Sequence, residues 1–533
     1  MNPLASYRCG QRLLVCLTVI SSIFFAAGCS SNNSTPPINQ VGFTNGSLSG
    51  TYVFSSQGQD GNLAPLALAG ALVADGNGGI KGGTMDIVAQ GVSPILGQAI
   101  APGSYSVGAD GRGQVSLTSE GVTFTLFFVL ITPSHGEVIE FDNNGTGSGT
   151  IDLQTPVTSL SQLAGAYAFS MAGADFNDNS LATVGTFTLD QNGLLSKGVQ
   201  DANDNAFGYP QMTISPTTAA LGSGTGPGTL TLTTASFGSL SFDFYAVDAT
   251  HLKFIETDTV EFLAGDVFSQ TDASIPQGPM AFTMSGGTAN LGAIAMGGLM
   301  TSDGTGNFPS GLEDVNDGGN LSPAQLSFSG VLDAASSGPF GGRVVVNLAG
   351  FFPNANNAGQ WVIYPSGGGL LMLEMDSANV TIGTGYAQTA TSIAASENYG
   401  LNLSGINPDG PLADNAQFNA TTSTVTGRLD ENGLGAALLP GLGLVGTYTP
   451  DSPATGRGSI NVPSIGTPNG TLNLVYYVVD ASTTVCIEMD QQQLSAGIFE
   501  LQDSSGAAGV AQAQARRANV HSTVRPRVAW RHK

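Results

Sequence analysis

The chain has 533 residues, a formal net charge of −24 at pH 7, only 10% charged residues and 74 glycines. That length is too great for one hydrophobic core and implies about three to five domains. Between Cys29 and Arg516, seven Lys and Arg stand against 39 Asp and Glu, a balance of −32, and such a surface repels nucleic acid and anionic lipid.

In chain order, the first element is a leader. Arg8 and Arg12 precede the apolar run LLVCLTVISSIFFAAG, which is too short and too poorly flanked for a stable membrane span, so residues 1–28 read as a signal peptide. The run ends in Ala26-Ala27-Gly28-Cys29, followed by polar SSNNSTPPINQ. This resembles the lipobox of bacterial lipoproteins, which implies cleavage before Cys29, lipidation of its thiol and a tether over residues 29–46. Ser30 after the Cys is similar to the outer-membrane sorting pattern of that family. The resemblance implies a lipid-anchored outer-membrane protein, periplasmic or surface-exposed. Cys9 and Cys16 leave with the leader and Cys29 is the lipidation site, so Cys486 alone remains in the body. No disulfide framework is available to one mature chain.

The body has no long helical period; short alternating segments broken by Gly, Asn, Asp and Pro run throughout, which reads as all-β. It also repeats. LSGTYVFSSQG at 48–58 is echoed by LAGAYAFSMAG at 163–173, and the opening strand recurs at Tyr52, Tyr167, Met280 and Tyr399. Each has Phe54, Phe169, Phe282 or Leu401 two residues on, and Gly58, Gly173, Gly286 or Gly405 six residues on. The far end is firmer: Glu140, Glu256, Glu374 and Glu488 are each followed at +2 by Asp (Asp142, Asp258, Asp376, Asp490), at +9 by Gly and at +14 by Gln. The Glu spacings of 116, 118 and 114 residues define domain-sized units, placed at 47–155, 156–272, 273–392 and 393–504. The short joins imply domains that sit close together, like beads with little slack.

Unit 1 offers about eight strand candidates separated by tight turns such as Asp75-Gly76-Asn77-Gly78, where Gly and Asn supply positive φ. Sequential hairpins without a helical crossover give an antiparallel meander, and eight such strands can close into a barrel. The expected fold is four tandem homologous eight-stranded β-barrels, with a two-sheet β-sandwich as the alternative. LSGTYVFSSQG followed by GALVADGNGGIKG is similar in rhythm to the opening hairpin of avidin-like and other calycin barrels. That family's usual Trp is Tyr52 or Tyr167 here, so biotin binding is not carried over.

Candidate chemistry is sparse. Glu140 and Asp142, like Glu256 and Asp258, Glu374 and Asp376, and Glu488 and Asp490, share one face of a strand roughly 6.5 to 7 Å apart. Side chains on one strand point in parallel, which does not suit hydrolysis by flanking carboxylates. Ile139 and Phe141 on the alternate face suit the core, so the acids are expected to face solvent or a barrel rim, either as structural acids or as a ligand or cation site. His135 and His251 occupy matching places in units 1 and 2, where units 3 and 4 have Gly369 and Thr483; they read as turn residues. Cys486 reads as a small core hydrophobe. The Asp/Asn-rich stretches at 142–149, 175–180, 201–205 and 313–320 read as turns, or as oxygen-rich Ca²⁺ loops.

Residues 505–533 form a basic tail with Arg516, Arg517, Arg525, Arg527, Arg531 and Lys533. It reads as flexible and solvated, or as an arm for phosphate-bearing polymers or for the acidic body. The expectation is a non-enzymatic, multivalent binding or adhesion module without a resident cofactor, contacting an envelope polysaccharide or protein partner. The alternative is a structural spacer with filled barrels, and a carbohydrate-active enzyme ranks below both.

Overall fold

A computed structural model describes residues 39–259, 261–288, 292–323, 325–338, 340–351, 359–367, 369–434, 437–466 and 470–506. The expected signal peptide over residues 1–28, Cys29 and the basic residues of the tail lie outside the described residues. The described residues form one compact unit and are all-β, with three short 3₁₀ turns among them at Asn45–Ser47, Leu160–Leu163 and Phe340–Gly342.

In the first barrel, Ser49–Asp60, Pro65–Asp75 and Gly79–Ala89 form consecutive hairpins. Gly103–Val107, Arg112–Ser119, Val122–Thr132, His135–Glu140 and Gly145–Leu153 continue the meander. The last strand returns to the first, with Tyr52 opposite Leu153 and Gly58 opposite Gly147. A ninth strand that the sequence did not suggest, Ile95–Ile100, doubles back on the third. The third and fourth barrels close in the same way. The second closes less completely: Thr217–Thr218 pairs with its third strand, and a single Ala220–Thr229 bridge joins that segment to its fifth.

Each interior is filled. The first core holds Tyr52, Phe54, Leu72, Met85, Leu126, Phe128 and Val138, among others, and the third packs Phe282, Phe328, Phe351 and Trp361 edge to face. Such aromatic contacts add specificity to area burial.

The glycine six residues after the opening aromatic serves closure. A Cβ on Gly58 would lie 1.8 Å from the Thr146 carbonyl oxygen, and the values for Gly173, Gly286 and Gly405 against their own closing strands are 1.8, 2.0 and 1.9 Å. Only glycine permits that approach. These four glycines also line one narrow cleft of about 60 Å³ shared by all four barrels, together with Gln57, Phe262, Ile294 and Ile406, which leaves room for a handful of waters.

The beads are in fact a closed circuit. Each barrel packs on the next, and the fourth packs back on the first: Asn432 Nδ2 donates to the carbonyls of Glu140 and Gly145, and Asn415 Nδ2 to those of Phe127 and Glu137.

Candidate functional site

The next-to-last strand of each barrel, His135–Glu140, His251–Glu256, Gly369–Glu374 or Thr483–Glu488, is buried on both faces, and this reverses the expected direction of the acids. Val138, Phe254, Met372 and Cys486 point into the barrel cores. Glu140, Glu256, Glu374 and Glu488 lie two residues further on the same face and are 0–1% exposed. Ile139, Ile255, Leu373 and Ile487 point outward, into contacts between barrels. The alternate face is apolar because a neighbouring barrel covers it.

Burial pushes all four Glu carboxyls well above their usual 4.5, and the neighbouring Asp adds to the shift. Thr381 Oγ1 donates to Glu374 at 2.6 Å and Ser495 Oγ to Glu488 at 2.7 Å. The paired Asp residues accept from the neighbouring strand, from the turn that follows, or from both. Asp142 accepts from the Thr125 and Asn144 amides at 2.6 and 2.7 Å, Asp258 from the Ser241 amide at 2.6 Å and Asp376 from the Ala378 amide at 2.8 Å, while Asp490 accepts from Thr471 Oγ1 at 2.8 Å. The geometry separates each Glu-x-Asp pair into a core acid and an acid that binds the end of the neighbouring strand or the turn that follows.

The Gln at +14 reaches into the next barrel rather than into its own hairpin. Gln154 Nε2 donates to the Ala246 carbonyl, Gln270 to Pro365, Gln388 to Val478 and Gln502 to Leu130, at 2.6–2.9 Å. Two of the Asp/Asn-rich stretches lie in strands of the seams between barrels, not in loops. Asn203 donates to the Glu374 and Asn379 carbonyls, and Asn316 to those of Glu488 and Gln493. Asp201 accepts from Arg343 Nε at 2.8 Å and from the Tyr364 hydroxyl at 2.5 Å; Asp314 accepts from Arg457 Nε at 2.7 Å and from the Tyr477 hydroxyl at 2.6 Å. Asp430 takes Arg112 Nη1 at 3.0 Å. The other two stretches are turns, in which Asp175 accepts from the Asn177 and Asn179 amides and Asp142 caps its hairpin.

The seam between the first and second barrels breaks the pattern. Strand register puts Asp86 in the Asp position, Val88 in place of the Asn and Pro227 in place of the Arg. Asp86 instead meets Asp243 and Tyr245; burial, reinforced by Asp86, pushes Asp243 up to about 7.

Around the first barrel lies a buried polar cluster. His135 and His251 are not turn residues: they open strands and are 0% and 4% exposed. His135 Nδ1 is 2.7 Å from Asp152 Oδ1, while Nε2 is 3.2 Å from Glu137 Oε1 and 3.4 Å from Glu500 Oε2 of the fourth barrel. Lys253 Nζ of the second barrel lies 3.3 Å from Asp152 and 3.5 Å from Asp266, and His251 Nε2 is 2.8 Å from Asp266. Burial opposes the charge on Asp152, but Lys253 and His135 outweigh it and hold that carboxyl well below the usual range. Four of the body's seven cations, Arg112, Lys253, Arg343 and Arg457, therefore lie in seams. Sequence reasoning missed them because their partners are up to 318 residues away; their scarcity in so acidic a chain was the available signal.

No family model and no curated protein matches the chain. Among solved structures it is similar to the P pilus usher (PapC) translocation pore, at 8% identity and a TM-score of 0.12 over 85% of this chain and 98% of that one. It is similar also to the alcaligin outer membrane receptor FauA from Bordetella pertussis, at 7% identity and a TM-score of 0.10 over 85% of this chain and 75% of that one. Likenesses at that level carry no argument about fold or location.

Proposed function

We propose that the chain is a non-enzymatic structural component of the cell envelope, lipid-anchored through Cys29, in which four filled barrels form a spacer. The filled interiors carry this reading: aromatic and aliphatic side chains occupy the space that ligand-binding barrels leave open. The test is a thermal melt of the purified chain against a panel of saccharides, acyl chains and small cofactors. No compound is expected to raise the melting temperature. A ligand that binds a barrel interior adds about 2.7 kcal/mol at a hundred times its Kd, and a shift of that size, abolished by Phe128→Trp or Phe254→Trp, overturns the reading.

A second reading, binding of an envelope polysaccharide, rests on one surface feature. Phe207, 63% exposed, packs edge-on against Tyr209, and Tyr209 against Phe237, with ring centroids 4.9 and 5.0 Å apart on the second barrel. Exposed aromatic patches mark interaction surfaces. Retention on immobilised envelope polysaccharide that is lost in Phe207→Ala favours this reading, and equal retention of both proteins removes it.

A further inference from the structure

We infer that His135, Glu137 and Glu500 bind one divalent transition-metal ion of the zinc class, which ties the fourth barrel to the first. The three donors come from two barrels and lie in the seam that no linker spans. All are 0–3% exposed, and their ligating atoms lie within 4.8 Å of one another. Metal–ligand bonds of about 2.1 Å in a tetrahedral site place neighbouring ligand atoms about 3.4 Å apart, and the His135 Nε2 separations from Glu137 and Glu500 are 3.2 and 3.4 Å. Asp152, 2.7 Å from Nδ1, accepts a hydrogen bond from that N–H and so leaves the Nε2 lone pair toward the two carboxylates, the outer-shell arrangement that orients metal-binding histidines.

The neighbouring seam supplies an internal control. There the matching positions hold His251, Lys253 and Asp152, and the Lys253 ammonium lies 3.3 Å from Asp152. In the remaining two seams the matching sets are apolar or neutral: Gly369, Leu371 and Phe268, then Thr483, Val485 and Tyr386. Where the first–second seam has a lysine, the closing seam has Glu137, so two carboxylates and an imidazole converge there. Buried carboxylates are stable when paired with cations or bound to metal, and one nitrogen with two oxygens suits zinc better than calcium, which takes six to eight oxygens.

The test uses the purified full chain, stripped with EDTA, loaded with zinc and dialysed. Elemental analysis should find one zinc per chain, cut at least tenfold in Glu500→Gln and in Glu137→Gln and retained in Glu256→Gln. Zinc should raise the melting temperature of the wild-type chain, EDTA should reverse the gain, and Glu500→Gln should not respond. Should those variants fail to fold, cobalt(II) added to the wild-type chain should give visible absorption bands that zinc displaces. A folded wild-type chain that retains no zinc, shows no cobalt bands or melts identically with and without metal overturns the inference. So does an equal response to calcium, or a stability gain on acidification alone, which would make His135 an imidazolium held by its carboxylates.

Discussion

The seams on either side of the third barrel and those on either side of the first use the same strands for different physics. Around the third barrel, Val362, Tyr364, Leu371, Leu373 and Ile382 form one outward apolar cluster with the second barrel, and Tyr477, Val485, Ile487 and Ile498 form another from the fourth barrel's side. Around the first, positions equivalent to Leu371 and Val485 carry Glu137 and Lys253. Apolar burial is strong but non-directional, and four homologous barrels with uniform apolar sides could pair in more than one order. Charged seams penalise wrong neighbours, since a misplaced Glu137 or Lys253 would be buried without its partner.

Removing the guanidinium from the second–third seam should have the largest effect. Arg343→Ala leaves Asp201, 0% exposed, without its cation, and truncating one partner of a buried pair costs about 3–5 kcal/mol. Denaturant unfolding should show that loss; a change under about 1 kcal/mol would mean that the seam's apolar contacts carry it alone.

Next comes the closing latch. Gln502→Ala strips donors from the Asp110 and Leu130 carbonyls and should cost about 1–3 kcal/mol. Faster proteolysis at the first–fourth seam than at the second–third should accompany it, because only the former lacks a linker.

The first–second seam should respond to pH. Asp243 faces Asp86 and Tyr245, and its folded-state value of about 7 lies above its usual 3.8. A raised folded value means that the native state binds the extra proton. This contribution is therefore fully present below about pH 4 and is lost as pH rises toward 7. Asp243→Asn should flatten that part of the stability–pH curve, and an unchanged curve would show that the Asp243 carboxyl is not raised in the folded chain.

The smallest effect is expected inside a barrel. Burial and Asp258 push the Glu256 carboxyl well above 4.5, which favours its neutral form, and Glu256→Gln is close to isosteric with that form. Stability at pH 7 should change by less than about 1 kcal/mol, and a loss above 3 kcal/mol would reveal an ionised, paired Glu256.

The repeats, most of the strands and the tight hairpin turns were legible in the sequence because they are local, whereas Ile95–Ile100 and the strand placement of residues 201–204 and 313–317 were not. Tyr52, Phe54 and Gly58 recur with their spacing because an opening strand needs an aromatic core contact and a glycine against the closing strand. Asp75-Gly76-Asn77-Gly78 marks a hairpin in any context. The faces of the next-to-last strand were not legible: Val138 and Ile139 are both apolar, and a strand covered on both sides loses the alternation that tells inside from outside. The pattern therefore points Glu140 toward solvent or a barrel rim, although it lies in a core. Nor could the sequence pair Asp430 with Arg112, or Glu500 with His135. Those contacts exist because the fourth barrel packs back on the first, and only that closure brings side chains more than 300 residues apart within hydrogen-bond reach.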